Sequence, residues 1–235
     1  MQTYTGHHYD GEPSYGGYAN AITVDQNYVL KVPENIDFAA SAPLLCAGIT
    51  VYTPLKHWKA GPGMRVGVIG LGGLGHLAVK LAVAMGAEVY VLGRSAAKAN
   101  DAVAMGAKDY LITTEIYESH KNFFDLLLNT TSADLDLDPL LGTLKVAGTL
   151  VYLGLSGQPQ SFHAMNLVTS LRSIAGINTG NIADTQEMLD LCGEQNIVSD
   201  IELVDASEAS AVDVAYERVV NADVRYRFVI DAATI

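Results

Sequence analysis

From Arg65 onward, short apolar runs alternate with helical stretches. Arg65–Ile69 (RVGVI), Glu88–Leu92 (EVYVL), Asp109–Ile112 (DYLI), Phe124–Leu128 (FDLLL), Thr149–Leu153 (TLVYL) and Ser173–Ile177 (SIAGI) carry the residues of strands. Phe124–Leu128 is almost continuously apolar, the pattern of a strand covered on both faces. Between them, His76–Met85 and Ser95–Met105 predict helices, closed by Gly86 and Gly106 in the place where a left-handed residue ends a helix. Strands alternating with helices of this length predict right-handed βαβ units and a parallel sheet. The fold class expected is therefore α/β, a Rossmann-type doubly wound parallel sheet.

The flanks read differently. Residues 1–20 are polar, rich in Gly and Tyr, and read as loop. Ala21–Val32 has strand character in rough alternation, broken by Pro33-Glu34-Asn35. Phe38–Tyr52 predicts a buried helix and Gly61-Pro62-Gly63 a turn. Past the alternating region, Thr185–Gln195 reads as helix, Asp200–Val204 as strand, Glu208–Val220 as helix and Arg225–Asp231 (RYRFVID) as strand.

Composition narrows the function classes. Of 235 residues, 49% are hydrophobic and 17% charged, enough apolar material for a packed core. The net charge of −12 speaks against nucleic acid or an anionic membrane surface as partner. No apolar run reaches the ~18 residues of a membrane span. Two cysteines form no disulfide framework, and residues 1–10 show neither a basic nor an apolar leader region, so the cytoplasm is the expected compartment.

The densest chemistry lies at Gly70-Leu71-Gly72-Gly73-Leu74-Gly75. It follows a predicted strand and opens a predicted helix, the context in which G-x-G-x-x-G binds a dinucleotide. Gly70 serves the tight turn, Gly72 lets a pyrophosphate approach the backbone, and Gly75 lets helix and strand pack closely. The helix N-terminus adds free N–H groups and partial positive charge. An NAD-selective site places Asp or Glu at the end of the second strand, about 20 residues on. Here that strand ends Leu92-Gly93-Arg94-Ser95, with Lys98 a turn later. Gly93 is expected to leave room, while Arg94, Ser95 and Lys98 offer donors to a 2′-phosphate, so NADP is the expected cofactor.

Four segments carry a family resemblance: APLLCAGITVY at Ala42–Tyr52, GLGGLGH at Gly70–His76, TQEMLDLC at Thr185–Cys192 and DVRYRFVID at Asp223–Asp231. Together, and over a span from about Gly16 to the C-terminus, they resemble the zinc-dependent alcohol dehydrogenases, specifically the NADP-dependent, cinnamyl-alcohol-dehydrogenase-like branch of the medium-chain family. The resemblance implies a Rossmann cofactor domain joined to a GroES-like catalytic domain. In this chain that would divide as residues 1–46, a remnant of the catalytic domain; 47–180, the NADP-binding domain; and 181–235, a segment returning to the catalytic domain. It implies hydride transfer between NADP(H) and a primary alcohol or aldehyde, with zinc polarising the oxygen. It places Thr50, Gly70, Leu71, Gly72, Gly73, Leu74, Gly75, Arg94, Ser95, Lys98, Thr130, Gly154, Ile177, Asn178 and Thr179 at the cofactor. Cys46 falls at the third catalytic zinc ligand, and Ser173–Ile177 at the strand along which members pair as homodimers.

The same resemblance implies roughly another third of chain ahead of this one, carrying the G-H-E motif and a four-cysteine lobe. Neither a G-H-E nor a C-x-x-C occurs here, so no complete catalytic set is expected in this chain, and little activity or zinc from it alone. His7 and His8 are no substitute, since adjacent side chains point apart in an extended segment. An NADP-binding remnant without catalysis is the alternative function. Cys46 within LLCAGIT disfavours a zinc-independent quinone reductase.

Bland readings stand beside these. Cys46 alone reads as a small buried residue, and Cys192 as core. His76 reads as packing or a local hydrogen bond, and His57 and Trp58 as surface or rim. Asp134, Asp136 and Asp138 lack the Gly-x5-Glu of a calcium loop and read as charge at a helix N-terminus. Thr130 ends a strand at the edge that faces a ligand in an open parallel sheet.

Overall fold

The computed structural model describes residues 6–7, 10–12 and 21–235. Most of the predicted loop over residues 1–20, His8 included, lies outside the described residues. At the centre is a parallel sheet of β1 (Arg65–Ile69), β2 (Glu88–Gly93), β3 (Asp109–Ile112), β4 (Phe124–Asn129), β5 (Leu144–Tyr152) and β6 (Ser173–Gly176). Its order is β3-β2-β1-β4-β5-β6. The chain winds outward one way from β1 and the other way from β4, which opens a crevice at the carboxyl ends of these two strands.

Both faces of the sheet are covered, as its apolar strands require. On one face Val66, Val68, Val89, Val91, Leu126, Leu128 and Val151 pack against three helices: α2 (Ala47–His57), α3 (Gly75–Ala84) and α7 (Ile182–Gln195). On the other, Phe124, Leu127 and Leu150 meet Leu137, Leu140 and Leu141 of α5 (Leu137–Gly142). Each such side chain contributes about 1.5–3 kcal/mol by leaving water. α3 and α4 (Ala99–Ala104) are followed by Gly86 and Gly106, with φ of +88° and +96°, the left-handed stops predicted for them. Cys192 on α7 is fully buried, and burial pushes its thiol up to about 12. No single helix among the described residues is long and apolar enough to cross a membrane.

After α7 the chain builds a smaller layer. β7 (Ile201–Asp205) pairs in parallel with β8 (Arg227–Asp231), connected by α8 (Ala209–Val220).

Several expectations are corrected. Ala21–Val32 is not a strand: it holds one 3-10 turn at Gln26–Tyr28, capped by Asp25, and Ile22, Val24 and Tyr28 are exposed. Among the described residues it pairs with no strand, and the Gln186 side chain bonds the Lys31 N–H and C=O. The single helix predicted for Phe38–Tyr52 is broken into α1 (Phe38–Ser41), a 3-10 turn at Ala42–Leu45 and α2. Pro43 has no N–H to continue the helical ladder, and Phe38 is 81% exposed rather than buried. Ser95–Met105 begins as a 3-10 turn at Ala96–Lys98 before becoming helical. β5 starts five residues before Thr149, with Ala147 at φ +61° and a register shift against β4. The register shift breaks the alternation ahead of Thr149. α6 (Met165–Val168) was not foreseen. The aspartate run does open a helix, α5, at Asp136.

Candidate functional site

Five strands deliver the predicted cofactor residues to one edge of the sheet. β1 runs into Gly70, β2 ends at Gly93, β4 hands over to Thr130, β5 to Gly154 and β6 to Ile177. The turn after β1 is shaped by close approaches. Gly70 has φ +90°, and its N–H donates to the Leu92 carbonyl at 2.8 Å. A side chain there would strike Thr131, and one at Gly75 would strike the Gly70 carbonyl. A Cβ on Gly72, in contrast, would meet nothing within 4 Å, so the backbone is open just before α3 begins. An anion there would face the free N–H groups of a helix start.

Neighbouring strands brace this turn. Thr130 donates its hydroxyl to the Ile69 carbonyl at 2.8 Å, and the Gly154 N–H donates to the Asn129 carbonyl at 3.0 Å. A Cβ at Gly154 would collide with the Thr131 carbonyl. Leu71 is buried and Leu74 half-buried. Thr50, on α2, donates its hydroxyl to the Asn178 carbonyl at 3.1 Å, while the Ile177 N–H donates to the Tyr152 carbonyl at 3.1 Å. Thr179 is exposed beside them.

At the end of β2, Arg94 and Ser95 are exposed, and Arg94 is in no salt bridge among the described residues. Lys98 is engaged by the turn: its ammonium donates to the Leu71 carbonyl at 2.8 Å and lies 5.1 Å from the centre of the Tyr226 ring. Burial, and then the Arg225 charge, hold its pKa below the usual lysine range. The expectation that Gly93 leaves room is corrected: a Cβ there would collide with the Tyr110 hydroxyl and lie 2.6 Å from Tyr110 Cζ.

His76 is fully buried at the start of α3. Its Nδ1 meets the Gly72 carbonyl at 3.1 Å, its Nε2 meets Ser199 Oγ at 2.9 Å, and its ring stacks on Tyr226 with centroids 5.0 Å apart. A carbonyl only accepts, so Nδ1 carries the proton and Nε2 accepts from the serine. Burial pushes the imidazole down to about 4, which keeps it neutral in this arrangement. The packing reading of His76 is the one the structure bears out.

Cys46 sits between the 3-10 turn and α2 and is exposed, which corrects its reading as a buried residue. Among the described residues no three His, Cys, Asp or Glu side chains gather as a metal cluster. His7 is exposed.

Arg227 was missed. Its Nε donates to the Gly73 carbonyl at 3.1 Å, and its guanidinium fills the space a Gly73 side chain would take. Burial lowers its pKa, an effect the nearby Cys46 opposes. The available signal was a cation at the start of the apolar run Arg227-Phe228-Val229-Ile230. Asp101 was missed as well: it accepts from Tyr226 Oη at 2.6 Å and pairs with Arg225, which ties α4 to the C-terminal layer.

With this geometry in view, the zinc-binding dehydrogenase family matches residues 73–194. An NADP-dependent alcohol dehydrogenase C of Mycolicibacterium smegmatis is 51% identical over 235 residues, covering 99% of this chain and 66% of that relative. A probable formaldehyde dehydrogenase of Bacillus subtilis is 47% identical over 237 residues, covering 100% of this chain and 67% of that one. Among solved structures, a cinnamyl alcohol dehydrogenase of Sorghum bicolor superposes with a TM-score of 0.91 at 39% identity, over 97% of this chain and 65% of that one. A cinnamyl alcohol dehydrogenase of Helicobacter pylori, complexed with NADP(H), gives 0.85 at 39% identity, over 96% and 64%. The chain thus spans about two thirds of the length of the relatives it matches.

Proposed function

Because the chain belongs to the zinc-binding dehydrogenase family, we propose that it binds NADP(H) and serves hydride transfer between NADP(H) and a primary alcohol or its aldehyde. The observation that carries this reading is the open backbone at Gly72, flanked by the Arg227 guanidinium at Gly73 and, at the end of β2, by Arg94 and Ser95 where no carboxylate stands. The N–H groups at the start of α3 and Arg227 would hold the pyrophosphate. Arg94 and Ser95 would hold the 2′-phosphate, and Lys98 would support the turn from below. Thr130 and Gly154 would line the crevice toward the nicotinamide. Bound NADPH supplies the hydride; the chain's own part is to seat and orient it. The relatives named as NADP-dependent, and the neighbour complexed with NADP(H), support the same cofactor.

A catalytic zinc needs three protein ligands and an open fourth position. The described residues do not fit it: among them Cys46 belongs to no group of three or more His, Cys, Asp or Glu side chains that could hold a metal. The alternative, NADP binding without turnover, is separated from the first reading by one experiment. NADP+ and NAD+ are titrated at equilibrium, and oxidation of NADPH is then followed with aliphatic and aromatic aldehydes. NADP+ is expected to bind more tightly. Arg94→Ala is expected to weaken NADP+ by about 1–3 kcal/mol and leave NAD+ unchanged. Tighter NAD+ binding by the unaltered protein overturns the cofactor assignment.

The partner proposed besides a small alcohol or aldehyde is a second copy of the chain. Among the described residues β6 is an edge strand whose outer N–H and C=O groups have no neighbour in the sheet, and Leu171 and Val168 beside it are exposed. Such an edge invites a symmetric strand. Sedimentation should show a dimer that Gly176→Pro, which removes an outward-facing N–H because those of Ala175 and Ile177 face β5, dissociates; a monomer at micromolar concentration contradicts the pairing.

A further inference from the structure

We propose that Tyr110 determines which ribose the site accepts: its phenol occupies the side-chain volume of position 93, closing it to an acidic residue, and presents a hydroxyl beside the place of a 2′-phosphate. The inference deepens the NADP reading above and rests on it.

The sheet register brings the two residues together. Val91 stands opposite Tyr110, and Gly93 opposite Ile112. Side chains two apart on a strand share a face, so Tyr110 and position 93 are diagonal neighbours, within reach of a long aromatic side chain. That face is the one covered by α3, where Val91 is core and Tyr110 packs at its margin. A Cβ built on Gly93 collides with Tyr110 Oη, lies 2.6 Å from Cζ and 3.2 Å from Cε1. The obstacle is the end of an aromatic side chain that is rooted in a paired strand and packed against the core, so admitting a Cβ requires the whole ring to turn out of that packing. An aspartate, which needs that Cβ and a carboxylate beyond it, is excluded while Tyr110 keeps this place.

The hydroxyl has a second use. Among the described residues Tyr110 Oη makes no hydrogen bond, although the side chain is half-buried; burial alone raises its pKa, so it stays a donor at neutral pH. It sits where β2 ends, one residue before Arg94. A 2′-phosphate oxygen accepts from such a group, and a charged acceptor makes that bond a strong one.

The test uses the whole chain and four variants, Gly93→Asp, Tyr110→Ala, Gly93→Asp with Tyr110→Ala, and Tyr110→Phe. Two quantities are read: Tm without cofactor, and equilibrium Kd for NADP+ and NAD+. Gly93→Asp alone should lower Tm and weaken both cofactors. The double variant should regain the lost Tm and bind NAD+ more tightly than NADP+. Tyr110→Phe should keep its Tm and lose about threefold to tenfold in NADP+ affinity, with NAD+ unchanged. A Gly93→Asp variant that keeps its Tm and gains NAD+ overturns the steric part. A Tyr110→Phe variant with undiminished NADP+ affinity overturns the contact. If the unaltered chain binds neither cofactor, the NADP reading has failed, while the Tm coupling of positions 93 and 110 still reads the steric part.

Discussion

The sheet region and the C-terminal layer are held by different forces. Between β1 and β6 the strands are sealed on both faces by fully buried Val, Leu and Phe side chains. The layer of β7, α8 and β8 exposes Leu203, Val214, Val219 and Val220. It is fastened to the sheet region by the buried Tyr226 ring stacked on His76 and by polar ties: Ser199 to His76, Asp200 to Lys80 at 2.9 Å, Tyr226 and Arg225 to Asp101, and Arg227 to Gly73. Two of these ties, from Ser199 through His76 and from Arg227, end on the glycine turn. The sheet therefore folds on apolar burial, while the polar ties of the second layer set the geometry of the site. Damage to the first region should appear as lost stability, and damage at the junction as lost cofactor affinity as well.

The largest effect sharpens the first half of that contrast. Phe124→Ala empties a fully buried position on β4 and should cost about 3–5 kcal/mol in denaturant unfolding, with Kd for NADP+ unchanged in whatever protein stays folded. A loss below about 1 kcal/mol would deny the sheet core its dominant role.

An intermediate effect belongs to the junction. His76→Leu leaves the Gly72 carbonyl and the buried Ser199 hydroxyl without this partner and should cost about 1–3 kcal/mol. Unlike Phe124→Ala, it should weaken NADP+ in the folded protein. It should also alter the pH dependence. The unfolded chain protonates this imidazole near its ordinary 6.5, the folded chain only near 4. The folded state thus binds fewer protons in that window. The stability from burying neutral His76 is complete above about pH 6.5 and is lost as the pH falls toward 4, by up to ~3 kcal/mol. Urea midpoints across this window should fall less steeply with acid in His76→Leu. An unchanged slope would remove His76 as its source.

The smallest effect lies on the outer layer. Val220, on α8, is 83% exposed, and Val220→Ser should change stability by no more than about 0.5 kcal/mol. A larger loss would mean that this face is covered in solution.

Legibility in the sequence followed the same division. The β-strands from β1 to β4 were readable to within a residue, since a strand buried on both faces must be apolar whatever lies beside it. Gly70 to Gly75 were readable because the turn's shape forbids side chains at most of its glycines. Ala21–Val32 misled, because alternation describes a surface that fits a sheet, and here no sheet comes to meet it. Cys46 misled in another way: small apolar neighbours in sequence do not decide which side of a broken helix a thiol faces.

What the sequence determined alone is therefore local: the βαβ alternation, the glycine turn and the missing carboxylate after β2. The first rests on periodicity, the second on close approaches and a positive φ that favour glycine, and the third on the identity of the residues that end β2. The tertiary structure decided what fills the gaps those residues leave. Arg227 reaches Gly73 from 154 positions away, Ser199 meets His76 across 123, and Tyr110 occupies the side-chain space at Gly93 from the adjacent strand. Gly73 and Gly93 stand in the sequence as positions without a side chain, and the neighbour that fills each space is one that only the folded chain brings there.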